Sequence, residues 1–68
     1  MKYRVEPNVG PRSQAARHFR TEEFNTEFDA QEAAVLKALG GPRGNLTVEN
    51  VKRLWSSLEG AGWRISQV

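Results

Sequence analysis

The chain has 68 residues and a mass of 7.7 kDa, with 10 Lys and Arg against 8 Asp and Glu, a net charge of +2, and 38% hydrophobic residues. This is enough apolar content for one small domain and leaves no room for a second. The absence of Cys excludes disulfides, a thiolate zinc site and a cysteine nucleophile, and a single His, His18, excludes a multi-His metal centre. No apolar run approaches the roughly 20 residues that cross a bilayer, so no membrane association is expected. Met1 to Pro7 is charged but has no apolar stretch of the secretory kind, and the expected location is cytoplasmic.

Lys2-Tyr-Arg-Val-Glu6 alternates with Tyr3 and Val5 on one face, which predicts a strand over 2–6 that Pro7 ends. Residues 8–16 carry Gly10, Pro11 and Ser13 and no apolar period, and are expected to form a flexible loop. Arg17 to Thr21 is read as a second short strand, with Phe19 inward. A helix is predicted over 29–39. Asp29 is its expected N-cap with Glu32 completing a capping box, and Phe28 packs on Ala33 as a hydrophobic staple. Gly40-Gly41-Pro42 is its stop signal.

Thr47 is the expected cap of a second helix over 47–59, with Leu46 and Val51 as its staple. Val48, Val51, Leu54, Trp55 and Leu58 form its apolar stripe. Gly60 and Gly62 end it. Trp63 to Gln67 alternates again and predicts a strand over 63–67 that returns to an N-terminal strand. The expected class is α+β, a small antiparallel sheet (strands near 2–6, 17–21 and 63–67) packed against two helices. The other expected core residues are Val35, Leu36, Leu39 and Ile65.

The small net charge hides a segregated pattern. Residues 1–20 carry +4, residues 21–32 carry −5, and residues 33–68 carry +3. Pairing of the terminal strands would gather Lys2, Arg4, Arg17, Arg20 and Arg64 into a basic surface suited to phosphates or an acidic protein. Tyr3 and Trp63 are its candidate aromatic anchors.

Residues 30–65 carry a capped helix, a Gly-containing turn, a second helix and a strand. Within them, Leu46-Thr-Val-Glu-Asn-Val-Lys-Arg-Leu-Trp-Ser-Ser-Leu-Glu-Gly-Ala-Gly-Trp-Arg-Ile65 resembles the recognition helix and wing strand of winged-helix regulators. The resemblance implies that the outer face of the second helix reads a DNA major groove, with Asn50, Lys52 and Arg53 in contact. Arg43, in the preceding turn, joins them as a candidate nucleic-acid contact. Departures from that family are the short link between the helices and the lack of a second wing strand.

Neither His18 with Ser13 or Glu22 nor the glycine-rich stretch 40–45 matches a catalytic constellation or phosphate-binding loop. The chain is therefore expected to be neither an enzyme nor a cofactor or metal carrier. The chain is broadly similar to small phage proteins that modulate host RNA polymerase. The expected function is that of a small regulator docking on such a machine by protein contacts, through Lys2, Arg4, Arg17, Arg20 and Arg64. Direct DNA binding through Arg43, Asn50, Lys52 and Arg53 is the alternative, and an oligomerisation or accessory module is the second.

Overall fold

The computed structural model describes residues 1–10, 12–39 and 47–68. The element order is β1 (Tyr3–Glu6), α1 (Gln14–Phe19), α2 (Glu27–Leu39), α3 (Val48–Gly60) and β2 (Arg64–Gln67). The class is α+β, as the alternating and helical periods predicted. The two terminal strands pair antiparallel, with Tyr3 opposite Gln67, Arg4 opposite Ser66, Val5 opposite Ile65 and Glu6 opposite Arg64. Alternation puts Val5 into the core and half-buried Tyr3 beside it. Lys2, Arg4 and Glu6 lie on the other face.

The first three residues of the strand expected over 17–21 are helical instead, Arg20 caps that helix, and the helix also takes in the last residues of the loop expected over 8–16. Ser13 has extended backbone, and its Oγ accepts from the Ala16 N–H at 3.1 Å. Gln14-Ala-Ala-Arg17 behind that cap are all good helix formers. Phe19 is the one apolar anchor of α1 and reaches the core at 1% exposure. Its ring meets Trp63 edge-on at 6.3 Å and Phe24 at 6.3 Å. No strand forms over 17–21; the segment that meets β1 lies further on, where Tyr3 and Phe24 form one isolated bridge with hydrogen bonds of 2.9 and 2.8 Å.

Helix α2 begins two residues before the expected start, because Thr26 caps it instead of Asp29. The Asp29 N–H donates to Thr26 Oγ1 at 3.0 Å, which places Asp29 inside the first turn, where its charge favours the helix dipole. Phe28 therefore lies within the helix, not before its cap. Ala30 and Ala34 are one turn apart and fully buried, and Val35 joins them. Small side chains there let neighbouring elements approach closely, and this apolar contribution was not among the expected core residues.

Helix α3 starts where Thr47 predicts, with Thr47 Oγ1 accepting from the Asn50 N–H at 3.2 Å. Thr47→Ala should therefore destabilise the protein by about 1 kcal/mol, read as a lower urea midpoint with unchanged slope. Val51 and Trp55 are buried and Leu54 and Leu58 half-buried, as the stripe predicts. Val48 is 56% exposed because it opens the helix on the solvent side. Leu46, Arg43 and the stop signal at 40–42 lie outside the described residues, as does the side chain of Leu39.

The end of α3 fixes where β2 begins. The Trp63 N–H donates to the Leu58 carbonyl and the Gly62 N–H to the Glu59 carbonyl, both at 3.0 Å. Gly62 has φ +106°, the left-handed turn that this paired closure requires. Asn8 seals the outside of the turn by donating from Nδ2 to the Ala61 carbonyl at 2.7 Å. Trp63 thus enters the core at 5% exposure and is no surface anchor.

Candidate docking groove

The basic residues separate into three settings. Lys2, Arg4 and Arg64 lie on the solvent face of the two-stranded sheet, as strand alternation dictates. Each already has an internal contact. Lys2 Nζ donates to Asn25 Oδ1 at 2.6 Å. Arg4 Nη2 pairs with Glu23 Oε2 at 3.0 Å, both side chains remaining more than a third exposed, so the pair contributes little to stability. Arg64 Nη1 donates to the carbonyls of Glu59 and Trp63 at 2.9 and 2.8 Å. A cation in that position complements the carbonyl end of α3.

Arg17 and Arg20 form the second setting. They are three residues apart at the end of α1, and both are exposed. Neither enters an ion pair among the described residues. Exposed His18 lies between them, with its ring against that of Phe19.

The third setting is the outer face of α3. Lys52 and Arg53 are exposed there and Asn50 is half-buried. Arg53 Nη2 donates to Asn50 Oδ1 at 3.1 Å, so these two side chains engage each other. Glu49 and Glu59 on the same helix balance Lys52 and Arg53, which leaves α3 with no net charge.

The first two settings meet at a groove of about 340 Å³ between β1 and α1, lined by Arg4, Val5, Glu6, Pro7, Ala16, Phe19 and Arg20. Its floor is apolar, from Val5, Ala16 and Phe19, and its rim carries Arg4, Arg20 and Glu6. The sheet register determines what the backbone offers. Val68 N–H donates to the Lys2 carbonyl at 2.7 Å, so Lys2, Arg4 and Glu6 direct their main-chain groups at β2. Tyr3 and Val5 direct theirs the other way. Tyr3 meets Phe24 there; Val5 finds no backbone partner among the described residues. Arg4 Nε is also buried without an acceptor.

The structure thus brings Arg4 and Arg20 to one groove, with Arg17 beside it, and places Lys2 and Arg64 on the adjoining sheet face. Sequence reasoning did not find Val5, Pro7, Ala16 and Phe19 as groove residues. Pro7 carried the one available signal, since it closes the strand. Nothing in a single helical turn announces Ala16 as a wall.

Among the described residues, no three His, Asp or Glu side chains gather as metal ligands, and no helix is long and apolar enough to cross a membrane. No family model, curated protein or solved structure matches the chain.

Proposed function

We propose that this chain is a small non-catalytic regulator that docks on a protein partner through the groove between β1 and α1 and the basic end of α1. The observation that carries the reading is the coincidence of an apolar groove floor with Arg20 on its rim and exposed Arg17 three residues back on α1. Apolar burial with flanking Arg side chains is the combination that dominates protein interfaces. The transcription machinery, with bacterial RNA polymerase first, is the partner to test, because a small regulator of this kind acts by covering a surface of a larger assembly.

The test is capture of the tagged protein's partners from bacterial lysate after nuclease treatment, wild type beside an Arg17→Glu, Arg20→Glu variant. Both side chains are exposed, so the fold should survive, as far-UV circular dichroism would verify. The expected result is polymerase subunits retained by the wild type after nuclease, with the charge reversal reducing capture by about tenfold, equivalent to 1.4 kcal/mol. Equal capture by both proteins would overturn the reading.

A second reading, direct DNA binding, is favoured by the exposed pair Lys52 and Arg53 on α3, beside Asn50. The zero net charge of that helix weighs against it, since phosphate neutralisation supplies most of the affinity. DNA binding abolished by Lys52→Glu with Arg53→Glu, and left intact by the α1 reversal, would establish it over the docking reading.

A further inference from the structure

We propose that the outer edge of β2 pairs with the same edge of a second copy of this chain, joining the two sheets antiparallel about a two-fold axis at Ser66. The proposal is independent of the docking groove, which lies on the far side of β1 from this edge.

Ladder phase decides which groups are free. The Val68 N–H donates to the Lys2 carbonyl at 2.7 Å, so Arg64, Ser66 and Val68 direct their main-chain groups at β1. Ile65 and Gln67, in the alternate phase, direct theirs outward. Neither finds a second backbone partner among the described residues, and β2 has no sheet neighbour there besides β1. This edge is accessible. Arg64, Gln67 and Val68 are exposed, and Ile65 and Ser66 are half-buried. The outer edge of β1 is closed by comparison, since Tyr3 is bonded to Phe24 and Val5 is 2% exposed.

The residues of β2 fit a second copy of themselves. Pairing about Ser66 sets Ile65 opposite Gln67 of the second copy, Ser66 opposite Ser66, and Arg64 opposite Val68. About four hydrogen bonds form, all from main-chain groups that β1 does not use. No charge faces a like charge, which would destabilise the pair. Val68, 57% exposed in the single chain, is covered by the aliphatic stem of Arg64 of the second copy. An axis at Ile65 would instead need the main chain of Trp63, which is 5% exposed and already gives its N–H to Leu58. A charged foreign strand finds little to recognise here. Arg64 is the one charged residue of β2, and its Nη1 is committed to the carbonyls of Glu59 and Trp63.

The closed edge of β1 stops further growth, so the product is a dimer and not a filament. The ladder is short, because β2 has 4 residues. Its pairing buries well under the about 1,200 Å² of a stable complex, and the dimer is therefore weak, dissociating on the order of 1 mM.

Sedimentation equilibrium of the full chain, from about 10 μM to several millimolar, tests the proposal. The expected result is a 7.7 kDa monomer at the low end and a dimer in rising proportion above about 1 mM, with concentration-dependent amide shifts centred on 64–68. Gln67→Pro removes an outward N–H and leaves the β1 ladder its bonds, so it should weaken association by at least about tenfold. Ser66→Cys reads the register. The two copies of residue 66 form a non-hydrogen-bonded pair, with Cα atoms about 4.5 Å apart and within disulfide reach, and the chain has no other Cys. Under oxidised glutathione this variant should cross-link at least about tenfold faster than Ser57→Cys, at an exposed position of α3. A monomer at every concentration would overturn the proposal. So would association unchanged by Gln67→Pro, shifts centred on the groove or on α3, or equal cross-linking of the two Cys variants.

Discussion

Phe19→Ala is expected to abolish the cooperative fold. Phe19 is the only fully buried side chain that α1 contributes, and it stands between Phe24 and Trp63. Truncating a buried Phe costs about 3–5 kcal/mol, from lost transfer energy and the cavity left behind. A core of this size supplies roughly 3–5 kcal/mol in total, so the variant should lose its thermal transition or melt far below the wild type. Phe19→Leu keeps most of the volume and should retain a cooperative but weakened transition. A Phe19→Ala protein within about 1 kcal/mol of wild type would show that α1 does not hold the core as described. The groove depends on the same contact, since Phe19 is both its floor and the anchor of its helical wall.

The second large effect is expected at Gly62. A side chain there must adopt φ +106° and would also meet Asn8, whose Cγ lies 2.9 Å from the position of an added Cβ. The left-handed backbone costs about 1–2 kcal/mol for an ordinary residue. Displacing Asn8 adds the loss of its hydrogen bond to Ala61, on the order of 1 kcal/mol. Gly62→Ala should therefore destabilise by about 2–3 kcal/mol. Gly60→Ala is the matched control. An added Cβ there meets nothing within 4 Å, and Gly60 lies within α3. It should be neutral or stabilising by up to about 1 kcal/mol. Urea unfolding of both variants checks the pair, and similar midpoints would contradict the assigned turn.

Much of this architecture was legible in the residues. Period-2 runs at the two ends identified β1 and β2. The spacing of Val51, Leu54, Trp55 and Leu58, behind a Thr cap, identified α3. The element that escaped was α1, for a physical reason. Six residues complete fewer than two turns and carry one buried anchor, so no helical period can accumulate. Arg17-His-Phe-Arg-Thr21 alternates as well as a strand does. Only the Ser13 cap and the helix-forming Gln14-Ala-Ala favoured the helix.

The start of α2 was displaced for a related reason. Asp29 and Thr26 both suit an N-cap, and the sequence does not say which extends outward. The basic residues were identified by charge alone, and their usefulness separates only in three dimensions. Lys2, Arg4 and Arg64 are committed to Asn25, Glu23 and the end of α3. Arg17 and Arg20 are not so committed. The groove itself follows from the packing of α1 on β1 through Phe19, which no local pattern encodes.

The central claim is that a protein partner docks at the groove between β1 and α1, beside the exposed Arg17 and Arg20. Capture from nuclease-treated bacterial lysate by the wild type and by the Arg17→Glu, Arg20→Glu variant, with the Lys52→Glu, Arg53→Glu variant as the control on α3, tests it most directly. The account predicts that the α1 reversal lowers capture by about tenfold while the α3 reversal leaves it unchanged. Equal capture by the wild type and the α1 variant, or loss confined to the α3 variant, would contradict it.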